Sequence, residues 1–478
     1  MSQTTEPHQS LAHRMFRRKE LVPGGKDSEL PRTLGLFQLT MFGVGSTVGT
    51  GIFFVLGTNV KQAGPSIIVS FIIAAVVAGL TAVCYAELAS SVPVSGSSYS
   101  YAYATLGEAV AMVIASCLLL EYGVSSAAVS VGWSQYLNEL MDNLFGFSIP
   151  HALSAAPWDA TPGIVNIPAM VLVGLCTLLL IRGASESATA NAVMVCIKIG
   201  VLILFMAVGA QGWNSNNLAD FAPFGVGGIM AATGGIFFSY IGLDAVSTAG
   251  EEVKNPTRTM PRAIVIALFI VTALYVGVAI VAVAAQPWRQ FAGQEAGLAQ
   301  ILVNVTGQTW PGSLLAAGAV ISIFSVTLVT LYGQTRILFT MSTDGIVSPM
   351  FKEVNKRTLT PIKNTLVVGG AVALIAGFVP LDYLADLTSV GTLFAFAVVS
   401  ATVIILRRRE PTLNRPFKVP GYPVTPILSI VSCIVVIASL HPITYLAFAG
   451  WVGAFLIFYF TYGIKHSNLE PYPRSDEK

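Results

Sequence analysis

GVGSTVGTG, residues 43–51, interrupts the first long apolar stretch of the chain with glycines and small hydroxyl residues, where a membrane-spanning helix would run. Glycine costs about 1 kcal/mol in a helix interior relative to alanine. Backbone freed inside lipid finds no water, so such a break persists only where it lines a protein cavity or a ligand. Interrupted spans of this kind point to a transporter.

The composition around the break is that of an integral membrane protein. Of 478 residues, 54% are hydrophobic and 10% charged, against about 25% charged in an ordinary soluble protein. Apolar runs near the length needed to cross a bilayer predict twelve spans, at 35–58, 66–91, 109–137, 164–182, 190–211, 226–250, 262–285, 312–341, 364–380, 384–406, 424–440 and 442–463. Residues 1–33 read as a cytoplasmic N-terminal segment, 34–463 as one transmembrane domain and 464–478 as a cytoplasmic tail. The first segment is basic at Arg14, Arg17, Arg18 and Lys19 and lacks the apolar core of a signal peptide.

Positive charge collects in cytoplasmic loops. With both termini inside, every Lys and Arg except Lys61, Arg289 and Lys198 falls in a cytoplasmic segment, including Lys254, Lys352 and the run Arg407, Arg408, Arg409. The small net charge of +2 therefore hides a steep sidedness, which sets orientation in a cell membrane and needs no nucleic-acid partner. Cys84, Cys117, Cys176, Cys196 and Cys433 all fall within predicted spans, without the paired spacing of a zinc site or a disulfide framework.

A second interruption lies in span six, where GGIFFSYIGLDAVSTAGEEVKNP, residues 234–256, puts Gly242 and Asp244 inside an apolar segment. Two broken spans five apart fit inverted repeats of five helices each, at about 34–211 and 226–406, with extra helices at about 424–463. The fold class is thus an all-α membrane protein with spans 1 and 6 broken. Residues 92–107, rich in Ser, Tyr and Ala, are expected along the inner interface, and residues 410–426 read as a cytoplasmic linker.

In the first break, Gly43, Gly45, Gly49 and Gly51 are read as letting the backbone leave helical geometry, while Ser46, Thr47 and Thr50 add hydroxyls. The half-helix after it turns a positive dipole end toward the centre, a site for a carboxylate. The competing reading is close helix packing through small residues. In span six, a break near residues 239–242 frees carbonyls suited to an ammonium group, so the two breaks together complement a zwitterion. Phe237, Phe238 and Tyr240 either cap the ligand or simply pack. Asp244 either caps the second half-helix, the favoured role, or touches substrate.

Lys198 lies eight residues into span five, about 12 Å deep at 1.5 Å per residue. An ionisable residue at that depth is a functional candidate, here a proton-coupling site beside the first break, alternately charged and neutral. The alternative is a permanent charge tied to helix-end carbonyls. Glu121, deep in span three, is either a counter-charge for Lys, Arg or ornithine side chains or a structural, water-organising carboxylate. Thr330 on span eight is small enough to leave space for a longer side chain. Glu87, Glu251, Glu252 and Arg336 fall near cytoplasmic ends, where gating ion pairs or plain solvation are expected.

These residues resemble the amino acid, polyamine and organocation transporter superfamily, and within it bacterial members of the cationic amino acid transporter family. The resemblance is carried by FRRKEL near Phe16, LTMFGVGSTVGTGIF in span one, AGPSIIVSF and CYAELASSVPVSGSSYSYAY through span two, NAVMVCIKIG in span five and FFSYIGLDAVSTAGEEVKNPTRTMPRAI in span six. It implies a LeuT-type fold of twelve helices with alternating access. It further implies that the first-break backbone at Thr47, Gly49, Thr50 and Gly51 holds the substrate carboxylate, and that carbonyls around Phe238, Ser239 and Ile241 hold its amino group. Proton-coupled relatives carry a lysine at the position of Lys198, which implies proton symport rather than sodium coupling. Thr330 stands where carriers of small neutral amino acids have a bulkier apolar residue, which leans toward larger or cationic substrates.

The leading expectation is a secondary active L-amino acid transporter, proton-coupled, for cationic or small neutral amino acids. Its alternatives are an amino acid or polyamine exchanger and a membrane amino acid sensor that binds without turnover. No HExxH, GxSxG or P-loop pattern points to an enzyme. No cofactor, metal or obligate protein partner is expected; the bilayer, the amino acid and the proton are the expected partners.

Overall fold

A computed structural model describes residues 14–18, 34–49, 51–91, 97–159, 161–183, 188–248, 253–291, 294, 296–358 and 360–468. Lipid offers backbone groups no hydrogen-bond partner, so an apolar chain satisfies them within helices. Among the described residues, the only strand-like pairing is a single bridge between Leu34 and Val253.

The first broken span consists of α1 (Leu36–Thr47), a π-helical turn at Gly51–Val55 and α2 (Leu56–Ala63). A turn at Gly64, with φ of 63°, leads through Gly64–Ser66 into α3 (Ile67–Ser91). Then come α4 (Ser97–Thr105), α5 (Glu108–Leu119), a π-helical turn at Leu120–Val124 and α6 (Ser125–Phe145). The next two helices are α7 (Ile167–Ile181) and α8 (Ala188–Gly209). The second broken span comprises α9 (Gly225–Phe237), a 3₁₀ turn at Phe238–Tyr240 and the short α10 (Ala245–Thr248). The remainder is α11 (Pro256–Ala285), α12 (Gly297–Thr306), α13 (Thr309–Thr343), α14 (Ile362–Phe378), α15 (Leu381–Arg409), α16 (Val424–Ile437) and α17 (Pro442–Phe458).

Eight of these stretches are long and apolar enough to cross a membrane, and four shorter apolar helices accompany them. Most helix ends fall within a few residues of the expected spans. Span three runs further than its apolar pattern, to Phe145, where Gly146 takes the left-handed conformation and donates to Asp142 O at 2.9 Å. The helix α12 was not expected at all. It is ten residues long with four of its apolar side chains turned inward, too short to register as a span.

The first broken span is held centrally. Helix α1 packs against α8 and α11, α9 against α3, and the two breaks against each other. Residues 97–107 depart from the interfacial placement expected for them: Tyr99, Tyr101 and Tyr103 are buried. The segment 410–426 also folds back on the helices, with the Val419 N–H donating to Glu87 Oε2 at 2.7 Å. That carboxylate pairs with Arg407 at 2.5 Å and Arg415 at 3.6 Å, joining the end of α3 to the end of α15. Of the five cysteines, all free, four are buried and Cys196 is exposed on α8.

Candidate functional site

The first break is shorter than its glycines suggest. Helix α1 runs through Gly43 and Gly45 to Thr47, and the chain leaves helical geometry at Val48, with ψ of 85°. Gly43 and Gly45 are packing positions. A Cβ on Gly43 would stand 2.6 Å from Val246 Cγ2, and one on Gly45 would stand 2.5 Å from Val195 Cγ2. The small-residue reading therefore applies to these two, and the break itself begins at Val48. Thr50, expected to hold a carboxylate, lies outside the described residues, as do Glu251 and Glu252.

The second break opens after Tyr240. Ile241 is extended at ψ of 146°, and Gly242 takes φ of 92°, a conformation that glycine adopts without strain. Its carbonyl turns toward the first break, where the Ser46 hydroxyl donates to it at 2.8 Å. The same hydroxyl is 2.9 Å from the Phe42 carbonyl, so Ser46 bridges the two interruptions. Thr47 is fixed from both ends: its hydroxyl donates to Gly43 O at 2.8 Å, and its carbonyl accepts from the Tyr275 hydroxyl at 2.8 Å. Gly51 packs directly on the Ser239 backbone, leaving no room there for a side chain.

Lys198 is 1% exposed, and its ammonium donates to Gly45 O at 2.9 Å. A hydrogen bond to a charged group contributes about 1.5–3 kcal/mol. The contact therefore ties α8 to the last turn of α1, immediately before the break.

Between the breaks lies a pocket with about 410 Å³ of empty space, the open solvent at its mouth included. Backbone and side chains of Ser46, Thr47, Gly49 and Gly51 line one side, and Phe238, Ile241 and Gly242 the other. Glu121, from the π-helical turn of span three, and Thr330, from α13, complete it. Of the expected residues, Gly45 stands behind the wall, holding Lys198, and Ser239 is packed against Gly51. Phe237 and Tyr240 are packing residues, in edge contact with Phe396 and Tyr275, whereas Phe238 reaches the cavity.

The lining also contains Tyr122, Ser125, Val129 and Val326, which sequence reading missed. Tyr122 and Ser125 flank Glu121 closely enough that its depth was a signal for them; Val129 and Val326 carry none. The Thr330 hydroxyl is engaged, donating to Val326 O at 2.9 Å and accepting from Ser126 at 2.7 Å. Arg336, placed near a helix end, is exposed and donates to the Tyr332 hydroxyl. The arrangement can hold a small molecule with its polar backbone end between two helix breaks and its other end against Glu121, Val129, Val326 and Thr330.

The model of the amino acid permease family matches residues 34–464. The chain belongs to that family. The permease is 43% identical over 461 residues to the branched-chain amino acid permease of Bacillus subtilis (strain 168), covering 95% of this chain and 99% of the relative. It is 41% identical over 460 residues to a methylthioribose transporter of the same organism, with coverage of 95% and 99%. The vacuolar cationic amino acid transporter 4 of Arabidopsis thaliana is 35% identical over 410 residues, which is 83% of this permease and 68% of that protein.

Proposed function

We propose that this permease is a proton-coupled L-amino acid symporter working by alternating access on a LeuT-type fold of twelve spans. The eight long apolar stretches, the first of them long enough for two crossings, together with Ile167–Ile181, Ile362–Phe378 and Val424–Ile437, supply twelve. On this reading α12 is an external helix and both termini face the cytoplasm. The observation that carries the proposal is one cavity lined by both helix breaks, with Lys198 bonded to the carbonyl beside the first of them.

The substrate carboxylate is assigned to the first break at Thr47, Gly49, Thr50 and Gly51, and the amino group to the carbonyl side of the second at Phe238, Ser239 and Ile241. The side chain then lies toward Glu121, Thr330, Val129 and Val326. Val129 and Val326 suit an apolar side chain, in line with the relative named for branched-chain amino acids. Glu121 suits a cationic one, in line with the relative named for cationic amino acids. Lys198 is assigned the coupling proton: charged, it holds Gly45 O and the break in one geometry; neutral, it releases it.

Liposomes containing the full chain test the proposal. An inward proton gradient is expected to drive uptake of labelled L-leucine or L-arginine, and Lys198→Ala is expected to abolish this while counterflow persists. Gradient-driven uptake that survives Lys198→Ala removes the coupling assignment. Binding with neither uptake nor counterflow would instead make the protein a sensor.

A further inference from the structure

Helix α17 buries little along its length: of its 17 residues, Thr444 is the buried one. Past it the chain turns inward, through a π-helical turn at Tyr459–Gly463 and a single turn at Ile464–His466, where Tyr459, Gly463 and Ile464 are enclosed. Tyr459 and Ile464 enter a second apolar core with Tyr99 and Tyr103 of α4, Tyr122 and Met341, set apart from the core around the two breaks.

The polar contacts of this segment converge on two acidic residues. Glu108, the first residue of α5, is fully buried. Its carboxylate accepts from the hydroxyls of Tyr103 at 3.0 Å, Tyr459 at 3.1 Å and Ser467 at 2.9 Å, and its N–H donates to Arg17 O at 3.0 Å. A buried carboxylate persists only when paired or hydrogen-bonded, and two of these three hydroxyls come from beyond α17. Asn468 closes the end of α13: its N–H donates to Asp344 O at 3.0 Å and its side-chain amide to Thr343 O at 2.9 Å, satisfying carbonyls that a helix end leaves over. The Asp344 carboxylate accepts from the Tyr99 hydroxyl at 2.9 Å, so the same helix end also holds α4. Gly345, at φ of 83°, lies directly under the segment, where a Cβ would stand 2.3 Å from His466 O. Lys465, His466 and Asn468 are exposed, so the segment can lift without drawing a span out of lipid. Helix α4 packs in turn on α10, in the second broken span, and Tyr122 lines the cavity.

We propose that residues 459–468 are a strap, an autoinhibitory contact that holds α4, α5 and the end of α13 together at the face taken as cytoplasmic and limits the rate at which that face opens. Fastened, Tyr459 and Ser467 complete the hydrogen bonding of Glu108 while Asn468 caps α13. Released, Glu108 loses two donors and takes up water, and α4 is free to move with α10. Ser467 and Asn468 act by positioning; neither lines the cavity. The inference rests on the alternating-access reading, and its test includes a readout that does not.

Amide hydrogen exchange on the full chain in detergent, without substrate, reads the strap directly. Deletion of residues 467–478 is expected to raise exchange in α4 and the first turns of α5 about tenfold, with α12, at the other end of α13, unchanged. Counterflow of labelled L-leucine or L-arginine in liposomes, which needs no proton gradient, is expected to run about threefold faster with the same half-saturation, because opening then limits turnover less. Ser467→Ala, which removes one donor and leaves the other contacts, is expected to move both readouts the same way by less. A deletion that raises exchange everywhere has lost the fold, and Ser467→Ala then decides. Unchanged exchange in α4 in both variants, or counterflow unchanged or slowed at the same half-saturation, overturns the proposal. Loss of gradient-driven uptake with faster counterflow counts against the symport reading alone. Absence of counterflow in the wild type counts against transport, and the exchange result then stands as the test of the strap.

Discussion

Lys198 brings an ammonium into the helical interior and sets it 2.9 Å from the carbonyl of Gly45. An interior charge persists only when paired or hydrogen-bonded, so removing it alters the first break more than it alters α8. In Lys198→Ala, proton-driven uptake is expected to fall tenfold or more, about 1.4 kcal/mol in barrier, with counterflow retained. Lys198→Arg, whose planar fork replaces a compact ammonium, is expected to lose coupling as well. Parallel measurement of uptake and counterflow in liposomes separates loss of coupling from loss of binding. The position was legible in the chain because a lysine eight residues into an apolar span contradicts its surroundings. Its partner was not, because Gly45 was read as part of the break. Glycine permits both a break and a close approach, and what distinguishes them here is that a Cβ at Gly45 would stand 2.5 Å from Val195 Cγ2.

At the scale of the element, the two interruptions were readable as glycine and small polar residues inside apolar runs, and the second fell where expected. The π-helical turn at Leu120–Val124 was not readable. It adds one residue to a helical turn without changing composition, yet it is where Glu121 and Tyr122 enter the cavity wall, in keeping with the frequency of such turns at functional sites. Gly242 ties the second break to the first. In Gly242→Ala the φ of 92° becomes strained, by about 1–3 kcal/mol, and the new Cβ would stand 2.5 Å from the Ser46 carbonyl. A thermal-shift titration with L-leucine and L-arginine is expected to show stabilisation in the wild type and at least tenfold weaker apparent affinity in this variant. Undiminished affinity would mean that the two breaks do not act as a unit.

Across the whole molecule, the helices are secured at one face by Glu87, which accepts from Arg407 and the Val419 backbone and lies 3.6 Å from Arg415. Removing one partner of a buried ion pair costs about 3–5 kcal/mol because the others are left uncompensated. Glu87→Gln is therefore expected to lower the unfolding temperature in detergent markedly, and added salt is expected to change the wild type little, since buried pairs are weakly screened. Sidedness is tested separately: Lys61→Cys should react with an impermeant thiol reagent on intact cells, and Lys352→Cys only after permeabilisation. The charge partition is what leads to this expected orientation, while the burial of α4 was hidden because tyrosine and serine suit an interface and a polar interior equally.

Cys196 stands two residues before Lys198, on the outward side of the same helix, while the other four thiols are enclosed. The native protein thus already carries its own spectroscopic handle. A membrane-permeant fluorophore or nitroxide attached there would report the motion of the lysine-bearing helix during turnover, with no cysteine to delete and none to introduce.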